Sequence, residues 1–213
     1  MKKAILAAAL MGAIAAPAAY LSAQDPEVAG QMNASRVTAG TYATDPAHTL
    51  VEWSVGHFGF NPYFGLFGDI EGTLQLDPAN LGAASVDISI PIASVAVPSE
   101  GLRDHLLRPG KDGGDPDFFG AEPGMARFVS TSVTPLGANR AIINGTLTMN
   151  GQSGPVALVT QFTGAGTNPM NQAETVGFTA ETTIQRSQWG IDYGIPNVAD
   201  EVDLKISAAF EKQ

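Results

Sequence analysis

From Thr41 onward, apolar side chains recur at every second position in one segment after another. Val51, Trp53, Val55 and His57 share one parity, as do Gly68, Ile70, Gly72, Leu74 and Leu76. Val86 to Ile92, Ala141 to Met149, Val156 to Phe162, Val176 to Ile184 and Val202 to Phe210 repeat the pattern, and a weaker stretch covers Arg127 to Val133. A period of two places alternate side chains on opposite faces of an extended strand, so each segment has one buried and one wetted face. That is the signature of antiparallel sheet. Turn-forming clusters separate the segments, including Asp77-Pro78-Ala79-Asn80, Asn150-Gly151 and Gly164 to Asn171. About eight strands joined mostly by hairpins suit a sandwich or a closed barrel. Several run ten residues or so, which favours a barrel, because coiling accommodates length and closure removes exposed edges. Interior glycines such as Gly68, Gly72, Gly145 and Gly177 suit the bends that closure needs.

The pattern breaks between Pro98 and Gly124. Ser99 is placed to cap a short helix that sets Leu102 and Leu106 on one side, and Asp117-Phe118-Phe119 suits a second helical turn. An excursion of this length between two strands predicts a lid over one mouth of the barrel. The expected fold is therefore all-β, an eight-stranded antiparallel barrel with a short helical excursion over one mouth.

The N-terminus has a different logic. Met1-Lys2-Lys3 is basic, Ala4 to Ala16 is apolar and uncharged, and Pro17 with small residues follows. This is the layout of a secretory signal, with cleavage expected after Ala18 or Ala23. Pro17 stops the run short of the ~20 apolar residues that span a bilayer, and no later stretch is apolar enough, so stable membrane insertion is not expected. The organisation is then residues 1–23 signal peptide, 24–40 flexible lead and 41–213 barrel, exported to a bacterial periplasm.

Charge and composition exclude several functions. Lys and Arg number 11 against 21 Asp and Glu, a net charge of −10, the wrong sign for nucleic acid. The absence of cysteine removes disulfides, thiolate metal sites and a Cys nucleophile. His48 and His57 lie an odd number of residues apart, so a regular strand would point them to opposite faces, and no metal site is expected. Asp112 to Asp117 has calcium-loop composition, but Phe119 stands where an EF-hand needs a ligand. Gly151-Gln152-Ser153-Gly154 is one residue short of a nucleophile elbow and lies in a hairpin. No catalytic residue, metal or cofactor is expected.

The interior is more informative. Phe58, Phe60, Tyr63, Phe64 and Phe67 crowd the first hairpin, Phe118 and Phe119 sit on the excursion, and small inward residues leave room elsewhere. Most such aromatics would be plain core in a filled barrel. The alternative is an apolar channel for a long hydrophobic molecule, with His57 as a polar contact for its headgroup.

Several ordered motifs make the chain resemble the YceI-like family. They are Tyr42 to Thr49 followed by Val51-x-Trp53-x-Val55-x-His57-x-Gly59; Arg103-Asp104-His105-Leu106; Phe118-Phe119; Phe128 to Thr131; Gly145 to Gly151 with Pro155-Val156; Arg186 to Ile191; and Asp200-Glu201-Val202. The resemblance runs from about Tyr42 to Lys212. It implies a periplasmic lipocalin-like barrel that binds, carries or sequesters polyisoprenoid or similar long-chain lipids without catalysis. On that basis Trp53, His57, Phe58, Phe64 and Phe67 are expected to line the site from the first hairpin, joined by Phe119, Phe128, Phe178 and Trp189. Two rival readings remain: a dimeric, stress-related or partner-binding protein with a filled barrel, and a lipid-modifying enzyme using His57 or His105. A homodimer is compatible with the lipid-binding reading too.

Overall fold

A computed structural model describes residues 28–213. The expected signal peptide lies outside the described residues. Among the described residues ten strands form a single antiparallel sheet: β1 (Gly40–Thr44), β2 (Leu50–His57), β3 (Asn61–Phe67), β4 (Glu71–Leu76), β5 (Ser85–Pro91), β6 (Met125–Pro135), β7 (Arg140–Met149), β8 (Gln152–Thr167), β9 (Glu174–Gln185) and β10 (Val198–Lys212). The order β1-β4-β5-β6-β7-β8-β9-β10 closes through a β1–β10 pairing, giving the eight-stranded barrel that the alternation predicts.

The other two strands are continuations. β10 pairs with β1 near its C-terminus (Tyr42 opposite Lys212) and with β2 further along (Leu50 opposite Ser207). β1 and β2 thus act as one interrupted staff, and β4 and β3 as its partner, since β1 pairs with β4 and β2 with β3. Among the described residues β3 has no ladder on its far side, only a single bridge from Leu66 to Ala96. The barrel is therefore split at this end, and the excursion fills the split. Its helix α1 (Glu100–Leu107) is capped by the Ser99 side chain, which accepts from Leu102 N, and it buries Leu106. The chain returns to the helix where Phe119 N donates to the Leu106 carbonyl at 3.0 Å.

The inward parity holds along most strands: Val176, Ala180 and Ile184 of β9 are buried, as are Leu147 and Met149 of β7. The β7–β8 turn is the two-residue Asn150-Gly151 loop, with φ of 49° and 72°, the left-handed pair that a tight hairpin requires.

From residue 28 on, the segment expected as a flexible lead makes contacts with the barrel. Gln31 and Ala165 exchange backbone hydrogen bonds at 3.1 and 2.8 Å. Val37 packs on the cluster that contains Tyr42, Phe162 and Phe210. Apolar Val37 and a free sheet edge at Ala165 give this stretch something to bury and something to bond.

Candidate functional site

The barrel is not filled by its own side chains. Two adjoining cavities occupy it, an upper one of about 630 Å³ beneath α1 and a lower one of about 260 Å³ toward the other end. Val51, Ile90, Leu147 and Leu204 line both and mark the waist where they meet. Among the described residues no Asp or Glu lines either cavity, although acidic residues outnumber basic ones 21 to 11 in the chain.

Glycines decide where the wall aromatics lie. Gly65 sits opposite Trp53 across the β2–β3 pair, and a Cβ there would fall 2.2 Å from the indole, so only glycine lets the ring lie against that strand. Gly145 does the same for Phe128, whose ring tip is 2.4 Å from where a Cβ would stand. Phe67 and Phe119 meet edge to face at 6.0 Å, joining β3 to the excursion. In the lower cavity Phe178 contacts both Phe162 and Phe210, with centroids at 5.8 and 6.2 Å.

Polar groups gather at the upper end. Arg186 is 5% exposed and lines the upper cavity. Its guanidinium donates to four backbone carbonyls, those of Ala199, Ile191, Tyr193 and Val198, at 2.8–3.0 Å. Burial pushes its pKa below the ordinary arginine value, while the charges of Asp200 and Asp192 oppose that shift. His105 of α1 also lines the cavity. Its Nε2 is 2.8 Å from Asp117, which accepts from Arg108 at 2.5 Å as well. Hydrogen bonds from Arg108 and then His105 hold the Asp117 carboxyl below its usual value. The His105 ring packs edge-on against Phe118 and Tyr193. This cluster staples the helix, the excursion and the segment around Tyr193 together at the upper mouth. Among the described residues, no group of three or more His, Asp or Glu side chains is arranged to hold a metal, and no helix is long and apolar enough to cross a membrane.

Of the residues singled out from the sequence, Trp53, His57, Phe58, Phe67 and Phe119 line the upper cavity, and Phe128 and Phe178 the lower. His57 and Phe58 stand at its rim, with Phe58 53% exposed and its backbone N–H bonded to the Asn197 carbonyl. Phe64 and Trp189 require correction, for neither lines a cavity. Phe64 is 52% exposed: Tyr63, Gly65 and Phe67 take the inward face of β3, and strand geometry sends the residues between them outward. Trp189 is buried in the wall at 1% exposure, its indole N–H donating to the Leu147 carbonyl at 3.1 Å and its ring covering Gly154. Arg186 was missed as a cavity residue, although the parity of Val176 to Ile184 runs directly to it. Tyr63, in step with Phe67, and Leu102, on the apolar side of α1, also join the lining, as does Tyr193, which no periodic pattern marks.

Comparison with known proteins bears on this geometry. The model of the YceI-like domain matches residues 42–210. A UPF0312 protein of Pseudomonas fluorescens (strain SBW25) is 31% identical over 185 residues, covering 85% of this chain and 92% of the relative. A UPF0312 protein of Shewanella sp. (strain ANA-3) is 31% identical over 211 residues, 97% of each. Among solved structures, Burkholderia cenocepacia BcnA superposes with a TM-score of 0.64 at 24% identity, covering 78% of this chain and 98% of that one. A domain from Saccharophagus degradans, described as polyisoprenoid binding and implicated in plant cell wall breakdown, gives 0.58 at 12% identity, covering 81% and 98%. At these identities the structures speak to the fold.

Proposed function

The chain belongs to the YceI-like family, and from that premise we propose that it binds a polyisoprenoid or similar long apolar lipid inside the barrel and carries or sequesters it in the periplasm without transforming it. The observation that carries this reading is the pair of adjoining apolar cavities along the barrel interior. A filled barrel would have suited the rival reading of a structural or partner-binding protein. Each CH₂ buried from water contributes roughly 0.8 kcal/mol, so a few five-carbon units exceed the ~8 kcal/mol of a micromolar complex before ordering costs are subtracted. No covalent or ionic contact with the tail is needed. The description of the S. degradans domain as polyisoprenoid binding supports the choice of lipid. The signal-like N-terminus supports the compartment. In this reading Trp53, Phe67 and Phe119 contact the upper part of the lipid, Phe128 and Phe178 its tail, and His57 and Phe58 frame the entrance.

Native mass spectrometry of gently purified protein, followed by solvent extraction, tests the proposal. The expected result is a one-to-one adduct that extraction identifies as a prenyl or long-chain lipid. Protein that is uniformly empty and takes up no polyprenyl compound would overturn it.

A further inference from the structure

We propose that the aromatic turn between β2 and β3 docks the upper mouth on a phospholipid bilayer, with Phe60 entering the interfacial layer. The inference rests on the lipid-binding reading for its purpose, the passage of cargo between bilayer and barrel, and not for its geometry.

The turn carries residues its backbone does not ask for. Phe58 and Gly59 have φ of 51° and 71°, and Phe60 N donates to the His57 carbonyl at 3.1 Å. This is the left-handed pair of the β7–β8 hairpin, where Asn150 and Gly151 stand at 49° and 72°. Asparagine is the ordinary first residue of such a pair, and a bulky phenylalanine there is an outlier. The next residue, Phe60, is 89% exposed. Turn chemistry requires neither ring, and neither is hidden from water.

The neighbouring loop extends the same tip. Phe58 N donates to the Asn197 carbonyl at 2.6 Å and His57 pairs with Val198, which brings residues 190–197 alongside, with Tyr193 and Ile195 exposed. Phe58 and Tyr193 also line the upper cavity, so one apolar surface runs from the tip into the barrel.

Charge and area select the occupant. From Trp53 to Gly68 the chain has no Asp, Glu, Lys or Arg, although its net charge is −10. Asp192 is the one carboxylate between Gln188 and Ala199, and its charge acts on the buried Arg186. Across the mouth α1 exposes Glu100, Arg103 and Asp104, so the uncharged tip belongs to the hairpin side. An acidic protein can approach a phosphate-bearing surface only where it presents no carboxylate of its own. Phe58, Phe60, Phe64, Tyr193 and Ile195 together expose on the order of 500 Å², short of the ~800 Å² per side of a standard protein interface. Aromatic rings on a narrow projection suit the interfacial layer of a bilayer.

Flotation of the exported protein with phosphatidylcholine vesicles tests the proposal. The parent is expected to float with them, and Phe60→Ser to partition about tenfold more weakly, the worth of one partly inserted ring. Phe60 lines neither cavity and stands at an exposed turn, so the variant should melt with the parent. A parent that stays with the unbound fraction, or a Phe60→Ser variant that floats as well as the parent, would overturn the proposal. Adding phosphatidylglycerol should weaken the parent's partition, because the rest of the surface is acidic; stronger binding would mean attachment through charge elsewhere and count against the tip. In Phe60→Trp the new indole should shift its emission to the blue on vesicles and be quenched by brominated lipid. An unshifted, unquenched spectrum would contradict insertion. A dimer that Phe60→Ser splits, with no vesicle binding by the parent, would assign the tip to a second copy and overturn the bilayer. Docking by protein that never takes up lipid would uphold this inference while sinking the proposed function.

Discussion

Trp53 and Trp189 carry the same indole N–H in opposite circumstances. That of Trp189 is buried and donates to the Leu147 carbonyl, whereas that of Trp53 is buried with no acceptor among the described residues. Trp189→Phe is therefore expected to cost about 1–3 kcal/mol, since it leaves a buried carbonyl with one partner fewer and a gap against Gly154. Urea unfolding should register that loss, while bound lipid per barrel stays unchanged. Trp53→Phe sacrifices no hydrogen bond, so its effect should fall on lipid affinity more than on the urea midpoint. Gly65→Ala is expected to push the Trp53 ring into the upper cavity, because the added Cβ would meet it at 2.2 Å. A shifted tryptophan emission with reduced lipid uptake would register that movement. At this scale the sequence was legible wherever parity is regular: Trp53, Phe67, Phe128 and Phe178 could be placed inward by counting. Phe64 and Trp189 lie outside the lining because of their positions along the chain. Phe64 is out of step with Phe67, and Trp189 lies beyond the end of β9, where counting by twos no longer applies.

Regularity also limits what can be read of whole elements. β8 keeps Val156, Leu158, Thr160 and Phe162 inward, then shifts register between Phe162 and Gly164, so that Ala165 becomes the buried residue. A β-bulge inserts one unpaired residue and flips the parity that follows, which is why the alternation stops at Phe162 while the strand runs on to Thr167. β6 shifts between Ser130 and Ser132 in the same way, and its alternation is correspondingly weak. The helical excursion was legible from its cap and its Leu102–Leu106 spacing, but the staple that holds it was not, because Asp117, His105 and Arg108 meet only through the return of the chain. That staple has a pH dependence of definite sign. Asp117 titrates below its usual value of 3.8 in the folded protein, so its contribution is present at neutral pH and is lost as pH falls through the lowered pKa. The melting temperature of the parent should exceed that of Asp117→Asn at pH 6, and the gap should narrow as pH falls below 3.8. A gap that widened on acidification would contradict this account of the cluster.

For the molecule as a whole, the interior ties stability to cargo. A ligand that binds only the folded barrel stabilises it by mass action, about 2.7 kcal/mol when present at a hundred times its Kd. For a chain of this size that corresponds to a rise of roughly 5–10 °C in Tm. Solvent-stripped protein should therefore melt lower than protein as purified, and reloading should restore the difference. Ala180→Trp is expected to plug the lower cavity, whose wall includes Ala180, leaving the upper one in place. Short prenyl compounds should then still bind while long ones weaken, a comparison that calorimetry can make directly. The closed barrel was anticipated by long alternating strands, whereas the residues alone left a filled and an open interior as alternatives. The split beside β3 was not, because it depends on which strands fail to pair. The ring formed by Val51, Ile90, Leu147 and Leu204 has a kinetic corollary. A tail whose tip rests past that ring must be drawn back through it, unit by unit, before the lipid can escape by the upper mouth. Dwell time should accordingly climb steeply with chain length, so that short lipids come and go while long ones are kept, and the barrel sorts its cargo by how slowly it lets go.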